Sequence, residues 1–230
     1  MIELYDRYSQ ESRDLHESLV ATGLSQLGVV IDADGFLPDG LVSPFTYYLG
    51  YEKGKPLYFN QVPVPAFWEI SGNNQSARIE DMTQERALIH YADGMQARLV
   101  KQVDWKDLEG RVRQVDHYNR FGACFATTTY NADSEPIMTV YQDVNGQEVL
   151  LENHVTGDIL LTLPDQSMRC FANKVEFIIF FLQDLGLDSH QLIFNTLATP
   201  FLVSFYYPDK SGSDVLVWQE PTYDAITGNM

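Results

Sequence analysis

Apolar positions between residues 9 and 22 recur at helical spacing. Leu15 and Leu19 share one face, Ser9 stands at a capping position, and Gly23 suits the stop. This pattern predicts a helix over 9–22. LGVVI (27–31) is a short, continuously apolar run of the kind that forms a buried strand. DADGFLPDGLVSP (32–44) then breaks regularity, and the aromatic segment FTYYLGYEKGKPLYFN runs on to residue 60. From 98 to 163 the texture changes to RLVKQVDW, VRQVDHYN, ACFATTTYN, IMTVYQD, QEVLLEN and ILLTL, separated by short turn-forming stretches. These predict six strands in an antiparallel meander, because no crossover helix fits between them. Asn145-Gly146 predicts a two-residue hairpin of type I′. KVEFIIFFLQDL (174–185) returns to helical spacing, with Val175, Ile178, Ile179 and Leu182 on one face and Gly186 at the stop. QLIFNTL, PFLVSFYYP and DVLVWQE follow as short apolar runs that read as buried strands. The simplest account is an α/β domain interrupted by a large antiparallel insertion. A doubly wound sheet ending at GNM is incomplete, so a fragment or an absent partner surface is expected.

YFNQVPVPAFWEI (58–70) joins the two textures. Pro63 and Pro65 cannot donate to a ladder, which argues against a central strand. Val62 and Val64, each before a proline, are pushed towards extended backbone. An edge-like extended segment at the junction is expected, with Phe67 and Trp68 pointing to opposite sides so that at most one faces solvent. Packing is the favoured role for the pair, and ligand contact the alternative.

Composition narrows the function classes. The chain has 230 residues, enough for a full core. With 32 Asp+Glu against 15 Lys+Arg the net charge is −17, which disfavours nucleic-acid binding without a basic patch. The cations Arg98, Lys101, Lys106, Arg111, Arg113 and Arg120 are interleaved with Asp104, Asp107, Glu109 and Asp116, the texture of a mixed solvated sheet face. Cys124 and Cys170 have no metal-ligand spacing and are expected as buried free thiols in a reducing compartment. MIELYDRYSQES lacks the apolar core of a signal peptide, and FIIFFL (177–182) is too short to span a bilayer. A soluble, cytoplasmic protein without membrane insertion is expected.

Catalytic motifs are scarce. Neither GxGxxG nor GxxxxGK[ST] follows a strand; His16-Glu17 lacks the second histidine of HExxH, and there is no GxSxG elbow. Asp32-Ala33-Asp34 follows a strand and resembles a D-x-D metal motif, but an acidic loop that sets up a turn with Gly35 explains it as well. Glu152, His154 and Asp158 in ENHVTGD offer an acid–base cluster or simply edge-strand and turn residues. Trp68, Trp105, Tyr118, Tyr130 and Tyr141 are candidate partner or acceptor contacts if they line an open sheet face, but a core, junction or sheet-pairing role needs no ligand and is the favoured reading. No catalytic, cofactor-binding or metal-binding residue is assigned, and no cofactor is expected.

LPDGLVSPFTYYLG, YFNQVPVPAFWEI, RLVKQVDW, GQEVLLENHVTGDILL and VLVWQEPTYDAITGNM, in that order, resemble the glycosyltransferase-stabilising proteins of the accessory Sec system. These are non-catalytic partners of the enzyme that starts O-glycosylation of serine-rich-repeat adhesins. The resemblance implies an incomplete Rossmann-like domain of GT-B type in 1–60 and 170–230, with an extended antiparallel β-sheet domain inserted at 61–169. It implies a chaperone-like subunit that binds the adhesin polypeptide and stabilises a catalytic subunit transferring N-acetylglucosamine from UDP-GlcNAc to Ser or Thr. It further implies a two-plus-two heterotetramer joined through the sheet domains, peripheral at the inner membrane face through protein partners. The alternatives are a metal-dependent glycosyltransferase using Asp32 and Asp34, and a pure sheet scaffold. Family members extend well beyond 230 residues, so the cleft between two Rossmann-like domains is expected to be missing.

Overall fold

Helix α1 (Gln10–Ala21) forms where the apolar spacing places it. The Ser9 hydroxyl accepts the Ser12 N–H, Leu15 and Leu19 are buried, and Gly23 stops the helix at φ 70°. The computed structural model describes residues 1–92, 97–187, 190–208 and 213–217. Contacts divide the chain into two units: residues 1–32, 39–44 and 175 onward, and residues 33–38 and 45–174. Residues 45–60, expected with the α/β domain, pack with the antiparallel unit.

The first unit is built on five parallel strands: β1 (Ile2–Tyr5), β2 (Leu27–Val30), β3 (Leu41–Val42), β14 (Leu192–Phe194) and β15 (Val215–Leu216). Their order is β15-β14-β1-β2-β3. Every residue of β1 is buried, as a central parallel strand covered on both faces requires. One of them is Glu3. Helix α3 (Lys174–Asp184) buries Phe177, Ile178, Phe181 and Leu182, and Gly186 ends it at φ 66°. PFLVSFYYP, expected as a strand, is instead helix α4 (Thr199–Tyr206). Pro200 sits in its first turn, where a missing N–H costs nothing, and the apolar run alone does not distinguish helix from strand. Of DVLVWQE only 215–216 is strand; the rest of that motif from residue 218 lies outside the described residues.

The second unit is a ten-stranded antiparallel meander in sequential order. It runs through β4 (Glu69–Gly72), β5 (Ser76–Asp81), β6 (Gln84–Tyr91), β7 (Val100–Lys106), β8 (Val112–Tyr118), β9 (Cys124–Tyr130), β10 (Pro136–Gln142), β11 (Glu148–Asn153), β12 (Ile159–Thr162) and β13 (Met168–Phe171). The six expected strands are β7 to β12. A short helix α2 (Pro44–Tyr47) and a 3-10 turn at Phe59–Gln61 precede them.

The hairpin at Asn145-Gly146 exists, but not as type I′. Only Gly146 has positive φ, at 76°. Asp143 starts the turn: its carboxylate accepts the N–H groups of Asn145 and Gln147, and its carbonyl accepts that of Gly146. Asp107, Asn119 and Asn131 do the same, followed three residues later by Gly110, Gly122 and Ser134 at φ 81°, 84° and 60°. An Asx side chain that mimics a turn, then one left-handed residue, thus recurs every twelve residues between strands.

At its start YFNQVPVPAFWEI makes one antiparallel bridge, Tyr58 to Leu99, and it does not rejoin the sheet until Glu69. Val62 is buried against Ala77, Ile79, Ala87, Ile89, Val100, Val103 and Tyr118, and Val64 and Trp68 pack onto the same cluster. The prolines therefore lay an extended strap across one sheet face, where their missing donors are harmless. Both cysteines are free; Cys124 is half-buried, its thiol pushed up to about 11 by burial, whereas Cys170 is exposed on edge strand β13 rather than buried.

Candidate functional surfaces

The five candidate contact residues separate by burial. Tyr118 is a core residue of the strapped face, and burial raises its phenol well above the ordinary range. Tyr141 is equally enclosed, stacked between Phe45 and Phe125 with its hydroxyl donating to Glu152 (3.2 Å). Neither presents surface to a ligand. Trp68, Trp105 and Tyr130 keep partial exposure. The Arg86 guanidinium lies over the Trp68 ring at 5.2 Å, and the Trp105 indole N–H donates to Asp116 at 2.7 Å. Both rings are thus fixed by intramolecular partners.

The acidic motifs resolve into structural roles. Asp34 accepts the Phe36 N–H (2.9 Å) and pairs with Lys101 (3.1 Å), while Asp32 pairs with Arg7 (3.2 Å). Each carboxylate is bound by a different cation, and the two belong to different units. Gly35 completes the turn: a Cβ there would meet Asn119 Cα at 2.6 Å, so only glycine allows this loop to pack. Glu152, His154 and Asp158 likewise do not converge. Glu152 holds Lys174 (2.9 Å) and Tyr141, His154 bonds Thr139, and Asp158 bonds Thr156.

Polar side chains that sequence reading missed form a ladder across the meander. His117 Nε2, Thr128 Oγ1, Thr139 Oγ1 and His154 Nε2 are linked in series at 3.0, 2.8 and 2.8 Å. Both threonines are buried, so each hydroxyl must find its partners within the chain. Two hydroxyls between two ring nitrogens require that one nitrogen carry hydrogen and the other accept. Nearby, His90 bonds the Asp104 carboxylate (2.8 Å), which also takes the Gln102 amide. The bond to Asp104 raises the His90 pKa above 6.5, whereas burial lowers that of His117 below it.

The two histidines therefore act in opposite senses. His90 contributes stability below about pH 6.5 and loses it as pH rises through its folded value. His117 contributes above about pH 6.5 and loses it as pH falls through its folded value. Urea midpoints measured from pH 5 to 8 should show wild type losing more stability on acidification than His117→Asn. Parallel curves would mean that His117 is not held neutral by the fold.

In the parallel unit, the strand order reverses between β1 and β14. Ligands of open α/β sheets bind outside the strand carboxyl ends at such a switch point. There, the Ser12 hydroxyl donates to the Arg7 carbonyl (2.8 Å), and the Asn195 amide reaches Ser12 (3.4 Å). The Arg7–Asp32 pair is solvent-accessible at the ends of β1 and β2. This polar shelf is not legible in the sequence because IELY is too short an apolar run to stand out as a strand. Its signal was the apolar run ending at DRYS, with Ser9 as the next helix cap.

Comparison with known proteins covers both units. Family models described as GtfB N-terminal domain, GtfB middle domain and GtfB third domain match residues 2–48, 68–172 and 174–230. The chain is 90% identical over 230 residues to a UDP-N-acetylglucosamine–peptide N-acetylglucosaminyltransferase stabilizing protein GtfB of Streptococcus pneumoniae serotype 4. It is 53% identical to the protein of that name from Streptococcus gordonii. The match takes in 100% of this chain and 52% of each of those proteins, so the chain spans about half their length. Among solved structures, a chain of the "GtfA/B complex bound to UDP and GlcNAc" superposes with a TM-score of 0.92 at 53% identity, over 97% of this chain and 51% of that one.

Proposed function

The chain belongs to the GtfB family, and from that premise we propose that it acts as a non-catalytic subunit that stabilises a peptide N-acetylglucosaminyltransferase. The observation that carries this reading is the match, at 53% identity, to a chain from a transferase complex. The ten-stranded sheet supplies the means. Its two edge strands, β4 and β13, are largely exposed and lie at the two ends of the strand order. A partner sheet can extend or cover such edges. In this reading two copies join two catalytic subunits in a heterotetramer. The catalytic subunit moves GlcNAc from UDP-GlcNAc to Ser or Thr of a serine-rich-repeat adhesin in the cytoplasm, before export by the accessory Sec system. Among the described residues no helix is long and apolar enough to cross a membrane. In this reading the chain meets the inner membrane face through protein partners.

The switch-point shelf is where the adhesin polypeptide would rest. A serine-rich chain offers backbone amides and hydroxyls, which the uncharged, half-buried Asn195 side chain matches better than a deep apolar pocket would. Acceptor binding through such groups should be insensitive to salt.

Co-expression with the catalytic subunit is the test. The purified chain alone should transfer no GlcNAc to a serine-rich peptide, and the catalytic subunit should gain soluble yield and thermal stability when the chain is present. An unchanged catalytic subunit would sink the proposal. Manganese-dependent UDP-sugar binding that disappears in Asp32→Ala would instead support the metal-dependent transferase. A serine-rich peptide that crosslinks to neither this chain nor the full-length protein would leave a pure scaffold.

A further inference from the structure

One end of the antiparallel sheet carries a row of apolar tips that folding does not require. The pairing of Glu69 with Glu80 puts the turn before β4 and the β5–β6 turn at the same end of their strands. The Gln84 side chain donates to the Leu108 carbonyl (2.8 Å), tying the β7–β8 turn to them. Phe67, Met82 and Leu108 occupy these three turns and are 98%, 92% and 67% exposed.

Two of the three are also held in an unfavourable backbone. Phe67 has φ 72° and Met82 φ 56°. Left-handed geometry is costly for a bulky side chain and free for glycine. Phe67 sits between Pro65 and Trp68, whose carbonyl and N–H close the turn (3.2 Å). This is the position where a turn of this kind favours glycine or asparagine. The aromatic ring thus disfavours the local fold and gains no packing from it. Strain combined with full exposure at a fixed site marks a surface shaped for something outside the unit.

Charge at the same edge indicates what that is. Glu69 and Glu80 face each other directly across strands, and Glu80 in turn neighbours Glu85. Like charges so placed repel. Lys106 and Arg78 neutralise Glu85, but among the described residues neither Glu69 nor Glu80 has a cation at ion-pair distance. A partner bringing lysine or arginine would relieve the pair. A buried aromatic anchor contributes about 150–250 Å². Three tips plus the exposed strand β4 approach the roughly 800 Å² per partner of a stable interface.

We infer that this end of the sheet is the docking epitope for the catalytic transferase subunit, with Phe67 as its anchor and Glu69 and Glu80 as acceptors for basic residues around an apolar pocket on that subunit. The inference rests on the function proposed above. Phe67→Gly discriminates because its two effects have opposite signs. Removing the strained ring should raise the melting temperature of the free chain by a few degrees. The same change should weaken binding to the catalytic subunit at least tenfold by calorimetry. Glu80→Gln should also stabilise the free chain, while weakening the complex more at low salt than at high.

Equal affinity of wild type and Phe67→Gly overturns the epitope and leaves the stabilising function standing. A melting temperature that falls together with affinity assigns Phe67 to the fold and also overturns the epitope. No binding by wild type removes the proposed function and this inference together. Self-association of wild type that Phe67→Gly abolishes would make a second copy of this chain the occupant, against the inference.

Discussion

Replacing His16 with leucine should cost the folded chain about 3 kcal/mol, a large share of the roughly 5–15 kcal/mol that holds a domain together. Glu3 is fully buried on the central strand β1, with one carboxylate oxygen bonded to His16 Nδ1 (2.6 Å) and to the Tyr5 hydroxyl (2.7 Å). The other oxygen is buried without a hydrogen-bond partner among the described residues, which supply no spare donor there. Leucine removes one of the two donors that the described residues supply and leaves the carboxylate inside. Burial, strengthened by the same carboxylate, pushes the Tyr5 phenol far above its ordinary range, so that hydroxyl remains a donor at any working pH. His16→Asn should recover part of the loss through its amide, because a donor rather than bulk is missing. Glu3→Gln should cost less than His16→Leu, since it removes the charge and keeps an acceptor. Equal losses for all three in urea unfolding would show that side-chain volume, not the buried carboxylate, governs the site.

The second large effect is expected in the antiparallel unit. Phe125 is 1% exposed, and its ring lies 6.5 Å from Tyr141 and 6.4 Å from His117. Tyr141 continues the stack to Phe45 at 5.2 Å, and Lys174 caps Phe45 from 5.1 Å. Phe125→Ala should therefore destabilise by about 3–5 kcal/mol through lost burial and the cavity left behind. Phe125→Leu should lose about a third of that. If the sheet carries the partner-stabilising role, the alanine variant also stops protecting the catalytic subunit from heat, whereas the leucine variant retains most of that protection. Full protection by an alanine variant that melts early would separate the role from the sheet.

Much of the meander was readable because each strand is a short β-branched or aromatic run bounded by turn-formers. Strands β4 to β6 were not, since SARIED and QERALIHY mix charge into their alternation, and β4 is mostly exposed. The twelve-residue recurrence of Asp107, Asn119, Asn131 and Asp143 was available in the sequence as well. It marks the turns more reliably than the Asn145-Gly146 pair does, because the side chain that closes each turn comes two residues before that pair. Helix α4 differs from its expected strand for another reason. An eight-residue apolar run carries no periodicity that separates a strand from two helical turns.

By itself the sequence determined the two textures, the helix caps, the hairpin order and the family, because these depend on neighbouring residues and on long contiguous motifs. Only the tertiary structure decided which aromatic side chains are available. Tyr118 and Tyr141 disappear into cores formed by residues distant in sequence, while Phe67 is left in the open by the strap that buries Val62. Tertiary structure also set the partners of Asp32, Asp34 and Glu3, since cations and donors reach them from strands and helices that only folding brings near. Local pattern fixes where the chain turns. Burial and pairing, which depend on everything else packed alongside, fix what each side chain can do.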